Sequence, residues 1–171
     1  MSTERLELPE PSQAVLRAAR ALLRRKERKA TGRFLAEGPQ AVREALKVPN
    51  AVESVFFRWG AVHDHVDLLD AARAADVPHY AVSEQNLITV SDTVTPQGVV
   101  AVCRTVDVAL AEALADDPQL VVICAQIRDP GNAGTVIRCA DAFGADAVIL
   151  SSDSVEVYNP KTVRASVGSI F

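Results

Sequence analysis

The sequence predicts an α/β protein of two successive units, a small N-terminal α/β domain and a parallel-sheet domain. Strand-length runs (VESVFF, GVVAVC, LVVICA, AVIL) alternate with stretches whose apolar residues recur every three or four positions. Gly, Pro and Asp clusters punctuate the joins, most sharply at Thr31-Gly32 and Asp116-Asp117-Pro118. The bulk composition agrees: 171 residues, 49% apolar and 23% charged, describe a globular chain with room for one domain or two small ones. No apolar run approaches the roughly 18 residues of a membrane-spanning helix. The opening MSTERLELPEP lacks the layout of a secretion signal.

In chain order, Pro11 and Ser12 open a helix in which Val15, Leu16, Ala19, Leu22 and Leu23 form one stripe. Residues 34–36 read as a strand, and Gly38-Pro39 sets up a helix to residue 47, proline suiting a first helical turn. A second strand (52–57) precedes an alanine-rich helix over 62–75, with Val62, Val66, Leu69 and Ala72 at core spacing. A third strand (78–82), a short helix capped by Ser83, and a fourth strand (98–104) close this unit. It is expected over 33–104, behind a basic helix and arm over 1–32. A linker (105–118) leads to the second unit, 119–171. There, 120–125 reads as a strand of the kind covered on both faces of a parallel sheet. A loop (126–131), a helix (132–143), Gly144 as its stop and a strand (147–150) follow. A last helix runs from Asn159-Pro160 into Phe171.

Net charge is −4, which by itself argues against a nucleic-acid partner. The distribution reverses that inference. From Arg17 to Arg33 there are eight bases (Arg17, Arg20, Arg24, Arg25, Lys26, Arg28, Lys29, Arg33) against one acid, Glu27, while the remainder is strongly acidic. Such a segment can hold phosphates by counterion release, or be a solvated helix face. Cys103, Cys124 and Cys139 lie among small or apolar residues without CxxC spacing. They read as buried reduced thiols of a cytoplasmic protein. His63, His65 and His79 have no cysteine or carboxylate cluster at ligand spacing, so no metal site is expected.

The informative stretch is IRDPGNAGTVIR, residues 127–138, which joins the carboxyl end of an apolar strand to a helix. Open α/β sheets place ligands at such junctions. Pro130-Gly131 makes the turn, and Asn132 is the expected N-cap. The pattern is neither GxGxxG nor GxxxxGK, so nucleotide binding has weak support. On the helix, Ala133, Val136, Ile137, Ala140 and Phe143 form the face expected to pack on the sheet. Arg138 points nearly the other way, among Thr135, Ala142, Cys139 and Asp141. Small residues around one arginine fit a surface that meets another subunit or a substrate. The alternative is an exposed Arg138 paired with Asp141, worth a few tenths of a kcal/mol.

DPGNAGTVIRCADAFGADAVIL followed by YNPKTVRASVGSIF resembles the SpoU (TrmH-like) branch of the SPOUT RNA ribose 2′-O-methyltransferases. FLAEGPQAVREAL with the later GVVAV is similar to the substrate-binding domain that precedes the catalytic domain in ribosomal-RNA members. The resemblance spans residues 20–171. It implies a Rossmann-like second domain, methyl transfer from S-adenosylmethionine to a ribose 2′-hydroxyl of large-subunit ribosomal RNA, and a homodimer formed through the catalytic domain. It also implies Arg138 and Asn132 as the catalytic pair. A guanidinium rarely gives up its proton at neutral pH, so gripping a phosphate and stabilising a developing alkoxide is the physically easier role for Arg138. Arg24, Arg25, Lys26, Arg28, Lys29 and Arg33, with Lys161 and Arg164, become the expected RNA contacts. No aromatic ladder is visible, so phosphate and shape recognition are expected over base stacking.

The sequence departs from the family in one large respect: the later GxE and Ser-Leu-Asn motifs that line the cofactor pocket in a trefoil knot have no counterpart here. No cofactor-binding residue is therefore expected within these 171 residues, and the second unit is expected to be an incomplete part of a longer methyltransferase domain. Two functions stay open at this point, an RNA ribose methyltransferase and a noncatalytic RNA-binding protein on the same scaffold.

Overall fold

Ser12 opens the first helix: its hydroxyl accepts the Val15 N–H at 3.3 Å, and α1 (Gln13–Ala21) follows. The computed structural model describes residues 8–171. Residues 1–7, which hold the start of the expected 1–32 unit and most of the stretch read for a leader, lie outside the described residues. After α1 come α2 (Arg25–Thr31), β1 (Arg33–Glu37), α3 (Pro39–Lys47) and β2 (Val52–Arg58). A 3₁₀ turn (Val62–His65), α4 (Val66–Ala74), β3 (His79–Val82), α5 (Glu84–Thr89) and β4 (Val99–Arg104) complete the first sheet and its helices. α5 is capped as expected, the Ser83 hydroxyl accepting the Asn86 N–H.

The sheet order is β1-β4-β2-β3, with β4 antiparallel to β1 and β2, and β3 parallel to β2. Strand alternation sends Phe34, Val55, Phe57, Ala101 and Cys103 to the face under α3 and α4. Leu35, Phe56, Val100 and Val102 go to the other face, against Leu16, Ala19, Leu22 and Leu87. Helices cover both sides, so residues 99–103 are buried without interruption. One expected core position fails. The 3₁₀ turn ahead of α4 changes the helical phase, leaving Val66 exposed while Leu68 and Leu69 go inward.

Beyond the single turn α6 (Leu110–Ala113), β5 (Val121–Cys124) pairs in parallel with β6 (Ala147–Leu150) through α7 (Pro130–Ala142). The expectation of a doubly covered strand here is corrected: Ile123 is 71% exposed and Phe143 81%. Two strands with one crossover helix leave apolar side chains such as these without a neighbour. The last helix also differs. α8 (Pro160–Ser166) stops at Val167, which is left-handed (φ 53°), short of the expected run into Phe171. Ile170 and Phe171 then turn back onto the first core, the Phe171 ring lying 5.7 Å from Phe34.

α8 is what joins the two units. Val163 sits in the first domain's core, while Thr162 and Ser166 are buried beside it. Tyr158, just ahead of α8, packs on Phe34 with the rings tilted and their centroids 4.4 Å apart. Its hydroxyl accepts the N–H groups of Val106 and Asp107 and donates to the Asp107 carboxylate. Burial first, then that carboxylate, pushes the phenol well above its ordinary pKa.

Candidate functional site

The 127–138 loop and helix are built from a cap one turn earlier than expected. Asp129, not Asn132, is the N-cap of α7: its carboxylate accepts the Asn132 N–H at 2.8 Å, and Pro130 takes the first helical position. That hydrogen bond and the nearby Lys161 ammonium hold the Asp129 carboxyl below the usual carboxylate range, against a smaller opposing effect of desolvation. Lys161 Nζ lies 3.6 Å from the Asp129 carboxylate, which brings α8 onto the loop. The approach is close throughout. A Cβ at Gly134 would run into the Thr162 carbonyl and the Ala165 methyl, so α7 and α8 meet backbone to backbone there.

Arg138 stands on the outer face of α7, exposed, with Thr135, Cys139, Asp141 and Ala142 exposed around it. Among the described residues it forms no ion pair, with Asp141 or any other carboxylate. Of the expected inner face, Ala133, Ile137 and Ala140 are buried, joined by Gly134; Phe143 is the correction, lying past the end of the helix. Asn132 and Arg138 are six residues apart, hence about 120° around the helix and about 9 Å along it. The fold therefore places them on neighbouring faces of one helix and not side by side. Cys139 is exposed, against the expectation of three buried thiols; Cys103 is buried and Cys124 partly so. Burial raises the thiol pKa of both of these.

The basic segment divides on inspection. Arg24, Arg25, Lys26 and Lys29 are exposed on and beside α2. Arg28 corrects the expectation of a contact: it is 5% exposed, and its guanidinium is fully engaged. Nε and Nη2 bond the two Glu156 oxygens at 2.9 and 2.6 Å, and Nη1 donates to the carbonyls of Leu22 and Leu23 at the end of α1. Those are helix-end acceptors with no partner of their own. Arg33 and Arg104 flank the single carboxylate of Glu53, each at 2.7 Å. Arg164 pairs with Asp92 at 3.0 Å and Glu37 at 3.7 Å across the domain junction, which takes it out of the expected contact set. Arg17 and Arg20, exposed on α1, extend the basic face; their signal was the charge run itself.

Among the described residues no group of three or more His, Cys, Asp or Glu could hold a metal ion. An adenosyl cofactor does not fit the strand ends as they stand. The Gln126 N–H donates to Ser151 Oγ, the Ile127 N–H to Ser154 Oγ and Ser151 Oγ to Asp153, so these polar groups are satisfied by one another. The space beside β6 is an open groove of mixed character, lined by Ile137, Val148, Leu150 and Phe171 together with Asp107 and Asp141.

Comparison with known proteins follows the same division. Residues 14–101 match the MRM3-like substrate binding domain, and residues 119–171 match the SpoU rRNA Methylase family. The 23S rRNA (guanosine(2553)-2′-O)-methyltransferase RlmP of Bacillus subtilis is 37% identical over 147 residues, 86% of this chain and 55% of that protein. The mitochondrial rRNA methyltransferase 3 of Mus musculus is 32% identical over 149 residues, 84% of this chain and 35% of that protein. Among solved structures, the AdoMet-bound rRNA methyltransferase from Sinorhizobium meliloti superposes with a TM-score of 0.78 at 27% identity, covering 95% of this chain and 60% of that one. The SpoU methyltransferase AviRb from Streptomyces viridochromogenes, in complex with AdoMet, gives 0.78 at 29% identity, covering 92% and 59%. The chain thus spans about a third to a little over half of the curated relatives' length. It belongs to the SpoU (TrmH-like) family of RNA methylases, and its N-terminal domain is of the MRM3-like substrate-binding type.

Proposed function

We propose that this chain carries the RNA-binding domain and the Arg138 helix of an S-adenosylmethionine-dependent methyltransferase acting on a ribose 2′-hydroxyl of large-subunit ribosomal RNA. The observation that carries the proposal is Arg138: an exposed guanidinium without a carboxylate partner, on the helix that follows a strand-end loop, joined through α8 to the domain that carries the basic α1–α2 segment. A 2′-hydroxyl is a poor nucleophile whose proton must leave as its oxygen becomes alkylated. Arg138 can hold the phosphate beside that hydroxyl and offer N–H donors to the developing oxyanion. Asn132, exposed at the first turn, can fix the sugar from the neighbouring face, and Lys161 adds positive charge next to the loop. No role in holding the methyl donor is assigned to the described residues.

Two further parts belong to this reading. Arg24, Arg25, Lys26 and Lys29 make phosphate contacts. A second copy covers the small-residue face around Arg138 together with the apolar groove between Leu120, Val122, Cys139 and Phe143. Sedimentation at rising concentration tests the dimer; a monomer throughout removes it. For the chemistry, Arg138→Ala in the active enzyme is expected to lower methylation of 23S RNA transcripts at least ~100-fold, as loss of an oxyanion donor does. RNA affinity should hardly change. Undiminished turnover contradicts the assignment, and RNA binding without any methylation by the unaltered protein favours a noncatalytic RNA binder.

A further inference from the structure

We propose that Glu156 is a positioning residue for the methyl-transfer site, tying the strand-end loop before α7 to the face of α1 and α2 on which RNA is held. The inference rests on the reading above and adds a residue that neither the charge run nor the loop motif contains. Glu156 belongs to no helix or strand and stands in the connection 151–159 between β6 and α8. An acid in such a connection ordinarily faces solvent. The Glu156 side chain is 13% exposed.

Both of its carboxylate oxygens are taken by Arg28, Oε1 by Nε at 2.9 Å and Oε2 by Nη2 at 2.6 Å. A two-point, charge-assisted pair fixes direction as well as distance. Arg28 is itself held in place, because Nη1 donates to the Leu22 and Leu23 carbonyls at the end of α1. The corner between α1 and α2 and residue 156 are thus joined as one piece. The same carboxylate lies 3.7 Å from Nε of Arg25, an exposed base of the RNA face. Glu156 therefore borders the surface that holds phosphates.

The residues just before Glu156 grip the loop. The Val155 N–H donates to the Ile127 carbonyl at 2.8 Å, and the Ile127 N–H donates to Ser154 Oγ at 3.2 Å. Both backbone polar groups of Ile127 are thereby bonded to residues 154 and 155. Two residues further on, Asp129 caps α7, the helix that carries Arg138. Arg28, Glu156, Ile127 and the α7 cap form an unbroken series of contacts from the basic helix to the reacting one.

The α8 packing does not duplicate this tie. α8 meets α7 inside the helix, at Gly134. It reaches the loop through the exposed Lys161–Asp129 pair at 3.6 Å, a kind of contact worth little. The Arg28–Glu156 pair is shielded from solvent, and it acts on the loop ahead of the helix. RNA held on α1 and α2 must deliver its hydroxyl to Arg138, and a misplacement of about 1 Å can lower a rate about 100-fold. A stiff link between the holding face and the reacting loop meets that demand.

Glu156→Gln cuts the tie at its RNA end, and Ser154→Ala cuts it at its loop end. In the active enzyme, well below each variant's melting transition, each should lower kcat about 10- to 100-fold with the KM for RNA unchanged. The double variant should lose no more than the worse single one, because both break the same path. On the 171-residue chain, RNA should slow amide exchange at Ile127 and Val155 as well as in α2, and in Glu156→Gln it should slow exchange in α2 alone. If Glu156→Gln does not fold, the half-buried Ser154→Ala decides by the same readouts. Unchanged kcat in the variants, a raised KM in place of lowered kcat, additive losses, or protection confined to α2 in the unaltered chain overturns the positioning role while RNA binding stands. RNA binding without methylation by the unaltered enzyme overturns it together with the methyltransferase reading.

Discussion

The two sheets of this chain treat nearly the same sequence in opposite ways. Residues 99–103, VVAVC, are buried without a gap, between α3 and α4 on one side and α1 and α5 on the other. Residues 121–124, VVIC, are as apolar, yet none is buried and Ile123 is mostly open to solvent. A strand's own residues therefore report its appetite for cover; whether cover exists depends on how many elements surround it. Stability should accordingly reside in the first sheet and in the α8 junction, with the β5–β6 unit contributing little through its outer faces.

The largest test of that contrast pairs two phenylalanines, at concentrations where the chain is monomeric. Phe57→Ala should cost about 3–5 kcal/mol in denaturant unfolding, as for other core phenylalanines, while Phe143→Ala should stay within about 0.5 kcal/mol. Similar costs at the two positions would break the comparison. Next is the junction. Arg28→Ala leaves Glu156 with only the exposed Arg25, at 3.7 Å, and two helix-end carbonyls without a partner, and should cost about 3 kcal/mol. Arg28→Met with Glu156→Leu should cost clearly less than the two single changes added together, which a double-mutant cycle measures.

A smaller effect is expected at the α7–α8 contact. Gly134→Ala forces the helices apart, for about 1–3 kcal/mol. Amide exchange should quicken in α7 and α8 and not in β1–β4; uniform quickening would mean that the two units are one cooperative block. The smallest effect is the α7 cap. Asp129 has its carboxyl held low in the fold, so its stabilising contribution is complete above the ordinary carboxylate range near ~4 and is lost as pH falls through the lowered value. Asp129→Asn should keep the cap and remove that part of the acid-side dependence, read from melting temperatures between neutral and acidic pH.

Much of this architecture was legible in the sequence, and the exceptions have physical reasons. Gly, Pro and Ser marked the ends of β1, α3 and α5 because each acts locally on the backbone. The α7 cap was legible too, had Pro130 been given its weight: proline at the first helical position puts the cap at Asp129. Arg28 was not legible. Nothing adjacent distinguishes it from Arg25 or Lys29, and its partner Glu156 is 128 residues away. The same holds for Arg164, which reads as a free helical cation until Asp92 arrives from another domain. The exposed placement of Arg138 was legible because helical spacing sets it opposite the apolar face of Ala133, Ile137 and Ala140.

The central claim is that the exposed bases beside α2 hold RNA phosphates while the acidic remainder of the chain does not prevent it. The direct measurement is RNA affinity as a function of salt, for the chain and for a variant with Arg24→Gln, Lys26→Gln and Lys29→Gln, none of which is buried. Three lost phosphate contacts should reduce the log–log slope by about 2 to 3 and weaken binding most at low salt, with thermal stability unchanged. An identical slope and affinity in the variant would contradict the account.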